Sequence, residues 1–413
     1  MRPMSRPDGE IVEVVIEKLV TGGLGLARHD GLTVLVPLAA PGDRLAVRLV
    51  ERRAGWARGE LLEVLAAGPA RRDAPCPHYA RCGGCDLQHL QDGAQLALKA
   101  QAAVETLARL GGVRLERPPT LVAGAPWGYR RRAQLRVVAP RDGDGAPHLG
   151  QLARGSHELV ALERCPILVP ALEARFRDLP AMLARRRGGR LELAAGDAGA
   201  WTGRLDGEPL EGAALESGAV AVRVGPLEYR FNARCFFQGH AQMLGPLVEA
   251  ALGPTLETEH GAAAGEAADL YAGVGLFTLP LAARHRRVHA VESEPAAAEY
   301  LAGNAERNGV DNVTLHAVPA EQAAGRLPRG LDRVLVDPPR AGLSPPVRRA
   351  LLALAPRRLT YVSCDVATLA RDLRALAAGF ELEGVTLLDM FPQTSHIEAV
   401  VQLHRRAAAI GRL

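Results

Sequence analysis

The chain has 413 residues, enough for about two to four domains at roughly 100–200 residues each. Hydrophobic residues make up 48 % and the formal net charge is only +4, so a buried core is easily built and the molecule is not a polycation. No apolar run approaches the ~18 residues of a membrane span. Met1–Gly9 is rich in Arg and Pro without an apolar core, so neither an anchor nor a secretory signal is expected, and the expected compartment is the cytoplasm. There the six cysteines are expected to be reduced thiols, metal ligands or catalysts.

Of the 50 basic residues only Lys18 and Lys99 are lysines. A GC-rich genome gives such a bias without functional meaning, although arginine also forks onto phosphate and stacks on bases better than lysine. Arg44–Arg58, Arg130–Arg136 and Arg185–Arg190 are candidate phosphate tracks, and each taken alone reads equally as a solvated face.

Residues 10–66 read as a small all-β module. Ile11–Leu19 alternates apolar and polar side chains, a glycine turn follows at Gly22, Gly23 and Gly25, and Leu32–Pro37, Arg44–Val50 and Gly59–Val64 are broken by Gly31, Pro41-Gly42 and Gly55. Short strands with this punctuation predict a five-stranded barrel of the oligonucleotide-binding type. Residues 67–90 read as loop and carry three cysteines. Gln91–Leu110 is a predicted helix stopped by Gly111-Gly112. Tyr129–Ala139, His148–Leu152, Leu191–Ala194 and Val220–Val224 predict a β-rich central region. From 236 onward strands and helices alternate: Ala267–Tyr271, Arg287–Glu292, Val313–Ala317, Arg333–Val336, Leu359–Ser363, Gly384–Leu388 and Glu398–Leu403 predict a parallel, doubly wound sheet.

Asp269-Leu-Tyr-Ala-Gly-Val-Gly-Leu-Phe277 falls where a strand ends and a helix begins. Gly273 and Gly275 let backbone approach a ligand closely, and Glu292, at the end of the next strand, can take both hydroxyls of a ribose. That spacing fits NAD and S-adenosylmethionine alike. The absence of a third glycine, the leading acid Asp269 and the later Asp337-Pro-Pro-Arg340 favour S-adenosylmethionine. Val334–Val336 reads as a buried strand whose two following prolines leave the Asp337 carboxylate at the edge where ligands bind.

Leu359-Thr-Tyr-Val-Ser-Cys-Asp365 is a strand that delivers Cys364 to the same edge, ahead of a helix over Ala367–Ala377. A helix N-terminus lowers a thiol pKa, so a thiolate is expected. Uracil C5 is too electron-poor to attack a methyl sulfonium. Thiolate addition at C6 makes C5 nucleophilic, and a base must then remove the C5 proton. Candidate bases are Asp365, His396 and Glu398.

Cys364 in Ser-Cys-Asp-Val-Ala-Thr-Leu, with Thr394-Ser-His-Ile-Glu398 downstream, resembles the RNA uridine-C5 methyltransferase family, and the motifs follow the family's order over nearly the whole chain. The resemblance implies Cys364 as nucleophile and Glu398 as proton acceptor. It also implies that Gln238 lies on the methionine end of S-adenosylmethionine, Tyr271 beside the cofactor, Glu292 on its ribose and Asp337 in the site. RNA cytosine-C5 enzymes carry Pro-Cys where this chain has Asp337-Pro-Pro, which disfavours cytosine. Three positions depart from the family pattern: Asp365-Val366 stands for Asn-Pro, His240 for Asn, and Pro319 for a polar residue. The N-terminal barrel is similar to a TRAM domain, an RNA-binding module.

Cys76, Cys82 and Cys85, with Cys165 far downstream, form a possible four-thiolate site. Spacing alone leaves tetrahedral zinc and a [4Fe–4S] cluster open. The TRAM-bearing subset of the family carries this three-plus-one pattern and implies [4Fe–4S]. A radical enzyme pairs a cluster with S-adenosylmethionine too, but with a different cysteine spacing. Trp127-Gly-Tyr-Arg-Arg-Arg-Ala-Gln134 sets three arginines beside two aromatics, a mix suited to RNA. The expected molecule is thus a multidomain α/β monomer: an OB-like TRAM barrel (1–66), a β-rich central domain with the cysteine site (67–235) and a Rossmann-like class I methyltransferase domain (236–413). Because tRNA-specific bacterial members generally lack both barrel and cysteines, 23S rRNA is the favoured substrate, with tRNA as the alternative. A non-catalytic RNA-binding protein is the reading from another class.

Overall fold

The computed structural model describes residues 9–139, 146–184, 188–210, 218–253 and 264–406. Most of the Met1–Gly9 segment and the first three arginines of Arg185–Arg190 lie outside the described residues.

In the N-terminal barrel Val12 and Val14 point inward from the strand Ile11–Val15, as the alternation requires. The predicted long first strand is broken at Ile16-Glu17: Ile16 N donates to Asp43 O at 2.9 Å and Glu17 N to Leu26 O at 2.8 Å. This break sends the chain from one sheet edge to the other. The six strands run in the order Ile11–Val15, Arg44–Arg53, Trp56–Ala66, Leu32–Pro37, Leu24–His29, Lys18–Val20, so the two edge strands are consecutive and the sheet curls toward closure. The strand count is therefore six, not five. Three of the five arginines of Arg44–Arg58 face glutamates, with Arg48 on Glu60, Arg52 on Glu10 and Arg53 on Glu51.

The central sheet is antiparallel, in the order Leu159–Ala161, His148–Leu152, Arg132–Val138, Arg190–Ala195, Trp201–Leu205, Glu208–Pro209. It encloses its own core around Leu135, Leu149, Leu191, Leu193 and Trp201.

An eight-stranded sheet carries the C-terminal region, in the order Val313–His316, His285–Val291, Ala264–Leu270, Arg333–Val336, Arg358–Ser363, Glu398–Arg405, Phe380–Leu388, Thr120–Val122. The first five are parallel, as the alternation predicts. Glu398–Arg405 runs antiparallel to both its neighbours, so the sheet is mixed. The chain order reverses between Ala264–Leu270 and Arg333–Val336, and the carboxyl ends at such a switch point form a ligand crevice.

Linear domain boundaries do not follow the packing. Thr120–Val122 joins the C-terminal sheet, and the hairpin Val220–Val224/Leu227–Phe231 packs into that sheet's core through Val222, Tyr229 and Phe231. The helix Asp92–Gly111 lies on the helix Val366–Leu376. Gly111 sits at their crossing, where an added Cβ would come 2.9 Å from Ala370 O. These pieces are too short to bury an apolar face alone, so they borrow the larger core. No described helix is long and apolar enough to cross a membrane.

Candidate active site

The strand Ala264–Leu270 ends in a turn built for close approach. Tyr271 (φ 66°), Gly273 (φ 55°) and Gly275 (φ 98°) all take the left-handed conformation, unusual for the tyrosine and therefore held by its surroundings. A Cβ on Gly273 would meet nothing within 4 Å, so open space lies over it. Glu292 Oε2 accepts the Gly273 N–H at 2.8 Å and Oε1 accepts the Glu294 N–H at 2.6 Å, which places the acid beside the glycine turn. Asp269 is fully buried. Its Oδ2 accepts from Thr278 at 2.6 Å while Oδ1 has no partner, and burial pushes the carboxyl up to about 7. A buried orphan acceptor, an open glycine and a hydroxyl-seeking carboxylate on one sheet edge fit S-adenosylmethionine. A ligand ammonium near the Asp269–Asp337 side would offset the accumulated acid charge.

Gln238 is buried and its Nε2 donates to Asp337 Oδ2 at 3.1 Å, which joins the Phe236-Phe-Gln segment to the Asp337-Pro-Pro-Arg340 turn. Crowding by protein atoms raises Asp337 to about 7, opposed by this bond. Cys364 is half-buried at the end of Arg358–Ser363. Glu398 starts the adjacent strand, is only 2 % exposed and takes no side-chain hydrogen bond among the described residues. Burial first, then Asp337, raises its carboxyl well above the ordinary range, against the pull of Arg340.

The surroundings of Cys364 in the protein alone favour the protonated thiol. Burial pushes the Cys364 thiol up to about 11, Glu398 and Asp337 add to the rise, and Arg340 opposes it by charge and by hydrogen bond. The neighbouring helix terminus is occupied by Asp365. Its Oδ1 accepts the Thr368 N–H at 2.8 Å and caps the helix Val366–Leu376, so the helix terminus serves the aspartate and not the sulfur. The same bond answers how a carboxylate tolerates a place beside Cys364: it is turned to the helix. Arg340 joins this group, although in the sequence it stands out only as the end of a motif. Its Nη2 is 3.1 Å from His396 Nε2, and it is the cation facing the thiol. Its signal in the sequence was its place in Asp337-Pro-Pro-Arg340.

His240, a departure from the family pattern, is fully buried. It stacks on Tyr129 at 4.6 Å and its Nε2 is 3.2 Å from Ala125 O, so it is a packing residue held neutral by burial, which lowers it to about 4. Pro319 precedes the short helix Ala320–Ala323 as its N-cap.

The Trp127–Gln134 stretch is mostly not an RNA face. Tyr129 is buried with its hydroxyl donating to Pro392 O, Trp127 donates to Asp92, and Arg131 is buried near Asp197. Only Arg130 reaches a polar cleft of about 630 Å³, which Arg154, His157, Arg340 and His396 also line.

Cys76, Cys82, Cys85 and Cys165 line one cavity of about 50 Å³, several times the ~10–15 Å³ that one water needs. Burial pushes Cys82 up, Cys85 to about 11 and Cys165 to about 12. Among the described residues no three His, Cys, Asp or Glu side chains are drawn together as ligands of a metal ion. Soft donors in an apolar cavity fit a thiophilic group. Cys235 is buried in the core beside Phe237, as a packing residue should be.

The chain matches the tRNA (Uracil-5-)-methyltransferase family over residues 327–406, the TRAM domain over 6–62 and the TRM5/TYW2 methyltransferase domain over 260–341. It is 36 % identical to the 23S rRNA (uracil(1939)-C(5))-methyltransferase RlmD of Alkalilimnicola ehrlichii, over 96 % of this chain and 97 % of that protein. It is likewise 36 % identical to the RlmD of Pseudomonas entomophila, over 95 % and 94 %. Among solved structures, the tRNA (uracil-54, C5)-methyltransferase of Pyrococcus abyssi in complex with S-adenosyl-L-homocysteine superposes with a TM-score of 0.73 at 24 % identity, covering 95 % of this chain and all of that one, which shows a shared fold.

Proposed function

Because the chain belongs to the RNA (uracil-C5)-methyltransferase family, we propose that it transfers a methyl group from S-adenosylmethionine to C5 of a uridine in 23S ribosomal RNA. One observation carries the reading. Ser363 pairs with Ala399, so Cys364 and Glu398 stand next to each other across adjacent strands, at the sheet edge that also bears the Gly273–Gly275 turn, and Asp337 and Arg340 both act on them.

In this reading Cys364, relieved of its proton, adds to C6 of the uracil and makes C5 nucleophilic. C5 takes the methyl group from the sulfonium and S-adenosylhomocysteine leaves. Glu398 then removes the C5 proton, the C6–sulfur bond breaks, and the thiolate is regenerated. The raised Glu398 carboxyl supports a proton acceptor strong enough for a carbon acid. Asp337, through Gln238, orients the methionine end of the donor, while Tyr271, Gly273 and Gly275 bound it and Glu292 takes its ribose hydroxyls. Arg340 stabilises the thiolate and, with Arg130 and Arg154 in the neighbouring cleft, meets RNA phosphates. The target uracil must leave its stack to reach Cys364.

The four cysteines hold a [4Fe–4S] cluster in this reading, with zinc as the alternative. Four cysteines lining one apolar cavity, three from a short stretch and one from far downstream, support this reading. When bound, the cluster ties Cys76–Cys85 to Cys165. The chain works in the cytoplasm as a monomer.

The decisive experiment maps methylated uridines by mass spectrometry in 23S rRNA and tRNA from a deletion strain complemented with wild type or Cys364→Ala. The uridine corresponding to position 1939 of the relatives should lose its methyl group in the deletion and in Cys364→Ala. A loss confined to tRNA would move the substrate to the Pyrococcus type, and an intact modification pattern would leave a binding protein.

A further inference from the structure

The segment that carries the candidate base is gripped from the cysteine loop. Between the strands Phe380–Leu388 and Glu398–Arg405 the chain turns through Asp389–Ile397, with Gln393 in the left-handed conformation at φ 68°. Such a turn persists only where its surroundings hold it. Asp86, the residue after Cys85, is that hold on one side. Asp86 N and Leu87 N both donate to Gln393 O at 3.0 Å. Asp86 Oδ2 accepts from Ser395 N at 2.9 Å and from Ser395 Oγ at 2.7 Å. Its Oδ1 accepts from Arg154 Nη1 at 3.3 Å, and Arg154 also donates to the Cys85 carbonyl. The two ends of this strut have unequal places: one is a cysteine of the four-thiol cavity, the other lies one residue before His396 and three before Glu398.

We propose that Asp86 is a positioning residue for the methyl-transfer reaction, holding Ser395 so that His396 and Glu398 stay set against Arg340 and Cys364. A carboxylate oxygen that takes an N–H and an O–H from one serine fixes both its backbone and its side chain, and charged acceptors make such bonds stronger than neutral ones. Among the described residues no other side chain bonds Ser395, and Lys99 on the opposite side grips the His396 carbonyl and Asp389 instead. Cys364 and the glycine turn are carried by other strands, so loss of the strut acts first on the segment that bears Glu398. The step that suffers is proton removal after methyl transfer, and the inference rests on Glu398 being the base.

The test uses the full-length protein purified anaerobically, S-adenosylmethionine and an unmodified rRNA transcript, with Asp86→Ala, Asp86→Asn, Ser395→Ala and Glu398→Gln side by side. Asp86→Ala should lower kcat on the order of 10–100-fold, the range of a small misplacement of a reacting group. KM for S-adenosylmethionine should stay unchanged, and a denaturation-stable protein–RNA adduct carrying the transferred methyl should accumulate. Asp86→Asn keeps an acceptor for Ser395 and should restore most of the rate. Ser395→Ala leaves the cysteine loop intact, so a smaller loss of the same kind there separates positioning from damage to that loop. Wild-type kcat in Asp86→Ala and Ser395→Ala, or a lowered kcat without adduct, overturns the inference. Normal turnover in Glu398→Gln overturns instead the base assignment on which it rests.

Discussion

Lys99 Nζ lies 2.6 Å from Asp389 Oδ1, with the two side chains only 1 % and 8 % exposed. The ammonium also donates to the His396 carbonyl at 2.9 Å and the Phe391 carbonyl at 3.3 Å. Burial lowers the lysine pKa and the Asp389 carboxylate counters it. Lys99→Met should therefore strand a buried carboxylate and cost about 3–5 kcal/mol in urea unfolding. The double variant Lys99→Met/Asp389→Leu should recover most of that loss. A single variant as stable as wild type would show that Asp389 finds another partner or water.

The chemistry assigned to Cys364 and Glu398 separates cleanly in two variants. Cys364→Ala has no nucleophile and should give neither methylated RNA nor adduct. Glu398→Gln should methylate C5 once and then stall, seen as a covalent protein–RNA band on a denaturing gel. Multiple turnovers in Glu398→Gln would move proton removal to Asp365 or His396.

The pH profile follows from two groups pushed the same way. The Cys364 thiol sits at about 11 and must lose its proton to react, and the Glu398 carboxyl, also raised, must be ionised to act as base. Both requirements are met better as pH rises. The single-turnover rate should climb through neutral pH and beyond, at most about tenfold per unit for the thiol alone. Arg340 pulls both groups down, so Arg340→Met should slow the reaction at neutral pH and shift the rising limb to higher pH. A flat profile in wild type would mean that bound RNA itself brings the thiol to ionisation.

The Gly-rich turn, the Asp337 turn and the Cys364 strand were legible because strand ends, glycines and prolines are local signals, and each of the seven predicted C-terminal strands is present. The Ala264–Leu270 strand merely begins three residues before its predicted start, at Ala264. What could not be read were consequences of packing. The Ile16-Glu17 break depends on Asp43, which lies far along the chain and knots the barrel by accepting from Ala40 N, Gly68 N and Arg71. Trp127–Gln134 has the composition of an RNA face, yet Tyr129 and Arg131 are buried because this segment bridges the central sheet to His240 and Gly239. Lys99 lies within the predicted helix Gln91–Leu110, and its ion pair with Asp389 spans most of the chain.

Asp365 illustrates how one substitution in a pattern is absorbed. Its carboxylate caps a helix, and Asn is an equally good cap. Asp365→Asn should then leave both thermal stability and turnover close to wild type. Asp365→Ala should cost about 0.5–2 kcal/mol of stability through the lost cap. A collapse of turnover in Asp365→Asn at unchanged stability would give the carboxylate a chemical role.

The four-cysteine cavity makes a prediction independent of activity. Protein purified without oxygen should be brown and carry iron and acid-labile sulfide in the proportion of a [4Fe–4S] cluster, and Cys165→Ser should lose both. A colourless protein with stoichiometric zinc would reverse the assignment. The bound group should also stabilise the fold, because its binding energy is available only where the cysteine loop and Cys165 are brought together. Three of the thiols lie on one short stretch, whereas Cys165 arrives from the loop after the strand Leu159–Ala161. Removing the group by chelation or oxidation should thus lower the urea midpoint of wild type and leave Cys165→Ser, already deprived of it, unchanged. If chelation destabilises both proteins equally, the loss does not come from a link through Cys165.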